Sequence, residues 1–99
     1  MPVSFHPAAA AEVERAQAWY EERSVFAAAG FLQELTRAVQ RIRSAPERHP
    51  TADHGTRRIL LERYPLSVVY LIRGDEVVII AVAHHKRRPG YWADRTRAV

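Results

Sequence analysis

The chain has 99 residues, of which 47% are hydrophobic, and it carries a formal net charge of +4. A length of this order corresponds to one domain with a small core, so we expect a single domain over residues 1–99. The sequence contains no cysteine, which excludes a disulfide framework and a thiolate metal site. It also contains no run near the roughly 20 apolar residues that a membrane span requires, so we expect a soluble, cytoplasmic protein with no membrane partner.

Charge is distributed unevenly along the chain. From Met1 to Thr36, two arginines stand against five glutamates, a balance of −3. From Arg37 to Val99, thirteen basic residues stand against six acidic ones, a balance of +7. The second part of the chain therefore suits an acidic partner or a phosphate backbone, although a solvated basic surface would have the same composition.

The N-terminal part predicts a short strand followed by two helices. Residues 3–5 alternate as in an edge strand, and Pro7 suits the first position of a helix that extends to about residue 23. Ser24 interrupts the helical pattern and can cap a second helix over residues 25–44. Because the link is so short, the two helices must form an antiparallel hairpin.

Three residues of these helices have predicted environments. Glu12 is assigned to a face outside the apolar stripe of the first helix. Gly30, which costs about 1 kcal/mol relative to alanine in a helix interior, would be explained by close approach to the first helix. Glu34 is placed where it can reach Arg37 and Arg41 along the same helix.

Residues 45–55 read as a connector because they contain two prolines. His49, Asp53 and His54 lie within this loop, but their spacing matches no ligand motif. We therefore predict no metal site, and no other pattern in the sequence implies a cofactor.

The next part of the chain, residues 57–84, predicts a three-stranded antiparallel meander. Gly74-Asp75 separates two runs of β-branched and large apolar residues and suits a type II′ turn, and Pro65 belongs in the preceding turn. The predicted pairs are Arg73 with Glu76, Leu71 with Val78, Val69 with Ile80, and Ser67 with Val82. The fold class is thus α+β in the order β-α-α-β-β-β, with the helical hairpin packed on the sheet and a basic C-terminal tail.

This register gives the sheet two different faces. The face expected to lie under the helices is apolar throughout: Leu66, Val68, Tyr70, Ile72, Val77, Ile79, Ala81 and Ala83. The opposite face is expected to be open and to mix polar with exposed apolar side chains: Arg58, Leu60, Glu62, Ser67, Arg73, Glu76 and His84 among Val69, Leu71, Val78 and Ile80. Such a mixture is typical of a partner-binding surface.

A basic and aromatic segment, His84 to Trp92, follows the last strand. Arginine binds phosphate bidentately, histidine can move protons near neutral pH, and tyrosine can stack on a base or act in acid–base chemistry. The alternative is that the aromatic residues fold back onto the core while the basic run is solvated. We favour that alternative for Trp92 and leave it open for Tyr91.

A series of local sequences in a fixed order carries a resemblance to a known family. They are Ala18-Trp19-Tyr20, Phe31-Leu32-x-Glu34-Leu35, Ile42 before the Pro46/Pro50 loop, Gly55-x-Arg57, Arg63-Tyr64-Pro65 leading to Val69-Tyr70, and Ile80-Ala81-Val82-x-His84-x-x-Arg87-x-Pro89-x-Tyr91-Trp92. Over residues 3–95 the chain resembles the RelE/ParE superfamily of type II toxin–antitoxin toxins (plasmid-stabilisation proteins), and it is closer to the ParE branch.

The resemblance implies a growth-inhibiting toxin that a cognate antitoxin neutralises through an acidic C-terminal segment, in a toxin–antitoxin hetero-oligomer. On the open sheet face, the expected antitoxin-binding residues are Leu60, Val69, Leu71, Val78 and Ile80. ParE-like members inhibit DNA gyrase, whereas RelE-like members cleave mRNA on the ribosome. A third alternative is a non-toxic module that only binds an antitoxin.

For mRNA cleavage, the resemblance assigns catalysis to His84 or His85, Arg87 and Tyr91. Target or phosphate binding would fall to the remaining basic positions: Arg57, Arg58, Arg73, Lys86 and Arg88. RelE-type enzymes carry lysines or a glutamate base between the second helix and the sheet, where this chain has Glu47, Arg48 and His49 but no lysine. That departure argues against cleavage, and the closer likeness of the local sequences to the ParE branch favours gyrase as the expected target.

Overall fold

Residues 1–97, the part of the chain that the computed structural model describes, form a four-stranded sheet with a helical hairpin on one face. The elements are β1 (Val3–Phe5), α1 (Pro7–Arg23), α2 (Val25–Ser44), β2 (Arg57–Leu60), β3 (Leu66–Arg73) and β4 (Glu76–His84). The strand order is β1-β4-β3-β2; β1 pairs parallel with β4, and the other neighbours are antiparallel. This architecture confirms the predicted fold class and element order. No helix in these residues is both long and apolar enough to cross a membrane.

Local capping explains where both helices begin. Pro7 occupies the first turn of α1, and the Nδ1 atom of His6 accepts a hydrogen bond from the amide of Ala8 at 3.0 Å. Ser24 ends α1 and caps α2, because its Oγ accepts a hydrogen bond from the amide of Ala27 at 3.2 Å. The predicted break at Ser24 is therefore confirmed.

The core lies between the helical hairpin and one face of the sheet. Its most completely buried large side chains come from α2, β3 and β4: Phe31, Ile42, Val68, Tyr70, Val77 and Ile79. The hydroxyl of Tyr70 donates a hydrogen bond to the carbonyl of Pro46, which anchors the loop after α2 to the sheet. The turn between β3 and β4 has a φ of +61° at Gly74, as a type II′ turn requires at that position.

A β-bulge changes the predicted register of β3 and β4. The pairs nearest the turn are confirmed, but Val69 lies opposite Ala81 and Ser67 opposite Ala83, because the register shifts between Val69 and Tyr70. The extra residue reverses the alternation of β4 beyond it. Ala81 and Ala83 therefore face away from the helices and Val82 faces toward them, so the prediction for the two alanines was wrong.

The connection between β2 and β3 is wider than the predicted Tyr64-Pro65 turn. Leu60 pairs with Ser67, so residues 61–65 form the connection and Glu62 lies in it rather than in a strand. Glu34 closes this connection: its Oε1 accepts hydrogen bonds from the amides of Glu62 at 2.7 Å and Arg63 at 3.2 Å. The expected pairing of Glu34 with Arg37 and Arg41 was wrong, since its carboxylate points inward and binds these two backbone amides.

A glycine is needed at position 30 because Tyr64 packs against it. The expectation that α1 would make this contact was wrong. The hydroxyl of Tyr64 donates a hydrogen bond to the carbonyl of Ala27 at 2.8 Å. A Cβ atom on Gly30 would overlap this hydroxyl. The close approach is therefore made by a side chain of the β2–β3 connection.

Candidate functional site

The second face of the sheet is covered by the C-terminal strap, which we define as residues 86–97. Trp92 is only 7% exposed and confirms the prediction that it folds back onto the core. It covers the apolar residues of β3 and β4 that were expected to be open: Val69, Leu71, Val78 and Ile80. All four are buried, so their predicted exposure was wrong, whereas Leu60 on β2 remains 52% exposed.

Glu12 on α1 connects the strap to the edge of β4. Its side chain is 6% exposed, so its predicted outer position was wrong. Oε1 accepts hydrogen bonds from the amide of Val82 at 2.9 Å and from Nη1 of Arg95 at 3.0 Å. Oε2 accepts from Nη2 of Arg95 at 3.1 Å and from the hydroxyl of Tyr91 at 2.6 Å. One carboxylate thus makes four hydrogen bonds, three of them to the strap.

The position of Glu12 follows from the short β1. The amide of His6 makes the last contact between the β1 segment and β4, at the carbonyl of Ile79. Farther along β4, the carbonyl of Ile80 accepts a hydrogen bond from Nη1 of Arg95 at 3.1 Å. The amide of Val82 donates a hydrogen bond to the carboxylate of Glu12. These side chains satisfy backbone groups that a longer strand would otherwise pair.

Tyr91 serves this arrangement as well. The guanidinium of Arg87 lies 3.8 Å from the centre of its ring. Burial, together with the hydrogen bond to Glu12 and the charge of that carboxylate, raises the pKa of Tyr91 to about 12, while Arg95 and Arg87 act in the opposite direction. The phenol therefore stays protonated at neutral pH, with its proton directed at Glu12.

A groove of about 840 Å³, the helix-side groove, lies between α1 and the end of β4. Its aromatic and aliphatic lining comes from Ala16, Trp19, Tyr20, Tyr64, Pro65, Leu66, Val82 and Tyr91. Its basic and histidine lining comes from Arg15, Arg63, His84, His85, Lys86 and Arg87. The acidic residue in this lining is Glu12, whose charge is compensated by Arg95. The groove therefore offers an apolar floor with a cationic rim.

A smaller groove of about 290 Å³, the sheet-side groove, lies across the strap from the first. Basic and histidine side chains from β2, the end of β4 and the strap meet there: Arg58, His84, His85, Arg87 and Arg88. His84, His85, Arg87 and Tyr91 line both grooves. The strap and the residues that lead into it therefore form a common wall.

The two histidines differ in their surroundings. His84 is half-buried, and its Nδ1 accepts a hydrogen bond from the amide of Lys86 at 3.1 Å. His85 is exposed, and its Nε2 lies 2.8 Å from Oγ of the buried Ser67. Both rings can meet a ligand in either groove.

Two of the arginines predicted to bind phosphate, Arg57 and Arg73, line neither groove. Nη1 of Arg57 donates to the carbonyls of Glu47 at 3.1 Å and His49 at 2.9 Å, so this residue ties down the loop after α2. Arg73 is at the end of β3 farthest from His84, about 23 Å away for seven strand residues. Within residues 1–97, no group of three histidine, aspartate or glutamate side chains is arranged to hold a metal ion.

Glu12 and Arg95 were missed as residues that shape the site. The signal for Glu12 was its spacing: it follows Ala9 by three residues and precedes Ala16 by four, which puts it within the apolar stripe of α1. A carboxylate at such a position needs a buried partner. Arg95 gave no local signal, because its partner lies 83 residues earlier in the chain.

The pKa of Tyr91 leads to a prediction at alkaline pH. Because its folded-state pKa of about 12 exceeds the unfolded value near 10, its interaction stabilises the fold in full below pH 10 and is lost as the pH rises through about 12. The difference in unfolding free energy between the wild type and Tyr91→Phe should therefore shrink above pH 10, as measured by urea unfolding. A difference that stays constant from pH 8 to 12 would contradict this assignment. Tyr20 and Tyr70, whose pKa values burial also raises, are present in both proteins.

Comparisons with known proteins agree with this fold. Residues 3–89 match the family described as the ParE toxin of the type II toxin–antitoxin system, parDE. No protein of curated function matches the sequence. The fold is similar to that of a chain from the structure titled "Chromosomal ParDE TA system from P. aeruginosa", with a TM-score of 0.62 and 20% identity over 85% of this chain and 95% of that one. This level of identity supports the fold alone. Because the family match extends over most of its length, the chain belongs to the ParE toxin family of type II toxin–antitoxin systems.

Proposed function

We propose that this protein is a toxin that inhibits DNA gyrase in the cytoplasm and that a cognate antitoxin neutralises it. The observation that carries gyrase inhibition over RNA cleavage is the state of Tyr91. Its hydroxyl donates a hydrogen bond of 2.6 Å to the carboxylate of Glu12, so its proton is committed within the protein and is not directed at a ligand. The tyrosine assigned to acid–base chemistry is thus engaged in holding the strap.

The positions of the arginines support the same proposal. Cleavage would require several cations around one phosphate, but Arg57 is bound to loop carbonyls and Arg73 lies at the far end of the sheet. By contrast, the helix-side groove combines aromatic side chains with arginines, the composition typical of the centre of a protein–protein interface. The helix-side groove therefore suits protein docking better than phosphate chemistry.

The proposed antitoxin contact moves from the sheet face to the helix-side groove. Among the residues first expected to bind the antitoxin, the four on β3 and β4 lie under Trp92, and Leu60 alone is exposed. The rim of the helix-side groove is cationic, which favours an acidic segment that also carries apolar side chains. Binding there would give a toxin–antitoxin hetero-oligomer.

A second candidate function is ribosome-dependent cleavage of mRNA. The sheet-side groove favours it, because Arg58, Arg88 and the two histidines line one small cavity. Histidine could supply acid–base catalysis there without Tyr91. In this case, His84→Ala or Arg87→Ala should slow cleavage by about 10²–10⁴-fold.

The deciding experiment is a supercoiling assay with purified protein and bacterial DNA gyrase, run beside a translation reaction in which mRNA cuts are mapped. We expect inhibited supercoiling and intact mRNA. Arg87→Ala combined with Arg88→Ala should raise the concentration for half-inhibition about tenfold or more, equivalent to ~1.4 kcal/mol, because both side chains line the grooves. Arg43→Ala, at an exposed arginine near the end of α2, is the control and should leave the value unchanged.

Cut mRNA with normal supercoiling would overturn gyrase inhibition in favour of the nuclease. If neither activity appeared, the non-toxic antitoxin-binding module would be the remaining reading.

A further inference from the structure

The strap is attached to the rest of the protein by side chains and not by backbone pairing. Among the described residues, the backbone hydrogen bonds of residues 86–97 stay within residues 84–97: the amides of Arg87, Tyr91, Ala93 and Arg95 bond to His84, Arg88, Gly90 and Trp92. The last amide before the strap that bonds outside this segment is that of His85, which donates to the carbonyl of Pro65 in the β2–β3 connection. The strap can therefore move without breaking the sheet.

Two kinds of contact hold the strap in place. Trp92 supplies the apolar contact over β3 and β4. Tyr91 and Arg95 supply the polar contacts, and both bind Glu12. Two further bonds do not involve Glu12: Arg95 donates to the carbonyl of Ile80 at 3.1 Å, and Arg73 donates to the carbonyl of Thr96 in an exposed and long bond of 3.4 Å. Most of the polar attachment therefore depends on one carboxylate.

The closed strap builds parts of both grooves. Lys86, Arg87 and Tyr91 line the helix-side groove. Arg87, Arg88 and Trp92 line the sheet-side groove. If the strap left the sheet, both linings would be lost together, and the apolar face of β3 and β4 would be exposed to water.

We propose that Glu12 is a positioning residue for the partner-binding surface: it holds the strap closed through Arg95 and Tyr91 and thereby maintains both grooves. Its carboxylate is saturated by hydrogen bonds within the protein, so it acts through the strap and not through contact with a partner. The inference rests on the proposed function only in taking the grooves as binding surfaces. The attachment of the strap by Glu12 does not depend on the proposed function.

The expected consequence of removing the carboxylate follows from burial. The side chain of Arg95 is 18% exposed and has Glu12 as its counter-ion. A guanidinium left there without its counter-ion, with the carbonyl of Ile80 as its remaining acceptor, carries a large desolvation cost. It regains water by turning outward, and because Arg95 belongs to the strap, the strap moves with it.

The test uses fluorescence quenching of Trp92 by acrylamide in full-length protein. The sequence contains two tryptophans, so all variants carry Trp19→Phe to leave Trp92 as the reporter. In Glu12→Ala, we expect the quenching constant to rise several-fold and trypsin cleavage after Lys86 and Arg87 to accelerate on the order of tenfold. Amide hydrogen exchange in β3 and β4 should keep its protection. Glu12→Gln should restore part of the shielding of Trp92, because its carbonyl can still accept hydrogen bonds from Val82 and Arg95 but supplies no counter-ion.

Glu34→Ala is the matched control. Glu34 is also a buried helical glutamate that accepts two backbone amides, but it closes the β2–β3 connection and does not contact the strap. We expect it to lower the midpoint of urea unfolding while quenching of Trp92 in the native protein stays at the wild-type value. Increased quenching in Glu34→Ala equal to that in Glu12→Ala would show a general loss of stability and overturn the proposal.

Two further outcomes would also overturn it. Trp92 could remain shielded in Glu12→Ala, which would mean that the indole alone holds the strap. Alternatively, β3 and β4 could lose protection together with the strap, which would make Glu12 a residue of global stability. If Glu12→Ala does not fold, Arg95→Gln tests the same attachment from the strap side and should also expose Trp92.

A cellular measurement connects the strap to function. At equal amounts of folded protein and with Trp19 retained, expression of Glu12→Ala should lose the growth inhibition that Arg43→Ala retains in full and Glu12→Gln in part. Growth inhibition that persists in Glu12→Ala with an open strap would overturn the role in the binding surface. A wild-type protein that neither stops growth nor inhibits gyrase would refute the proposed function, while the quenching results would still decide the role of Glu12.

Discussion

Replacing Trp92 by alanine is expected to lower the free energy of unfolding by about 3–5 kcal/mol. The indole is 7% exposed and is the main apolar side chain that the strap places over β3 and β4. Its removal leaves a cavity on one side of the sheet and admits water to side chains that the helices cannot reach. Urea unfolding followed by circular dichroism measures the change. Since small domains have about 5–15 kcal/mol of total stability, the loss would be a large fraction of it.

Trp19 provides the matched control for this substitution. It is the same residue type but 52% exposed; the guanidinium of Arg23 lies 3.5 Å from its ring centre, and the ring of Tyr20 packs edge-on at 5.1 Å. Trp19→Ala should therefore cost no more than about 1 kcal/mol, the usual value of an exposed cation–π contact. Equal losses for the two tryptophans would mean that the strap does not shield the sheet in solution.

Most of the secondary structure could be predicted from the sequence because its signals are local. Pro7 marks the start of α1, where the preceding residue, His6, caps the helix. Ser24 marks the start of α2, because its own hydroxyl caps that helix. Gly74 marks a turn through its own φ, and the β-branched runs on either side of it form β3 and β4. Each of these signals lies within a few residues of the feature that it predicts.

The faces of the sheet could not be predicted as reliably because they depend on distant contacts. Pairing by alternation alone put Ile80 opposite Val69, whereas the bulge leaves Ile80 without a strand partner. The carbonyl of Ile80 is instead bound by Arg95, and its side chain lies in the cluster under Trp92. Both partners belong to the strap, so the geometry of β4 and the position of the strap are determined together.

The same reasoning applies to the candidate site. His84, His85, Arg87 and Arg88 could be identified because they are contiguous, and the structure brings them to two neighbouring grooves. Arg57 and Arg73 were assigned by residue type and order, but their positions depend on the loop after α2 and on the length of β3. A basic residue is thus easy to find in a sequence, whereas the carboxylate or carbonyl to which it binds in the fold is not.

Gly30→Ala is expected to destabilise the protein by about 1–3 kcal/mol, as overpacking does in a core. The same change at an exposed helical site would stabilise by about 1 kcal/mol through helix propensity. Here the new methyl group would overlap the hydroxyl of Tyr64 and displace a ring that packs edge-on against Tyr20. As the control, Ala29→Gly at the exposed neighbouring position should cost about 1 kcal/mol and would show that α2 follows ordinary propensities.

The double variant Gly30→Ala/Tyr64→Phe tests the cause of this effect. Tyr64→Phe alone removes the hydrogen bond to Ala27, worth about 1 kcal/mol, but it also removes the oxygen that would meet the methyl group. The two changes should therefore be coupled, with the double variant more stable than Gly30→Ala. Additive losses would show that the methyl group meets some other atom. Because Tyr64 also lines the helix-side groove, coupling would show that a glycine on α2 sets the position of an aromatic side chain in the proposed binding surface.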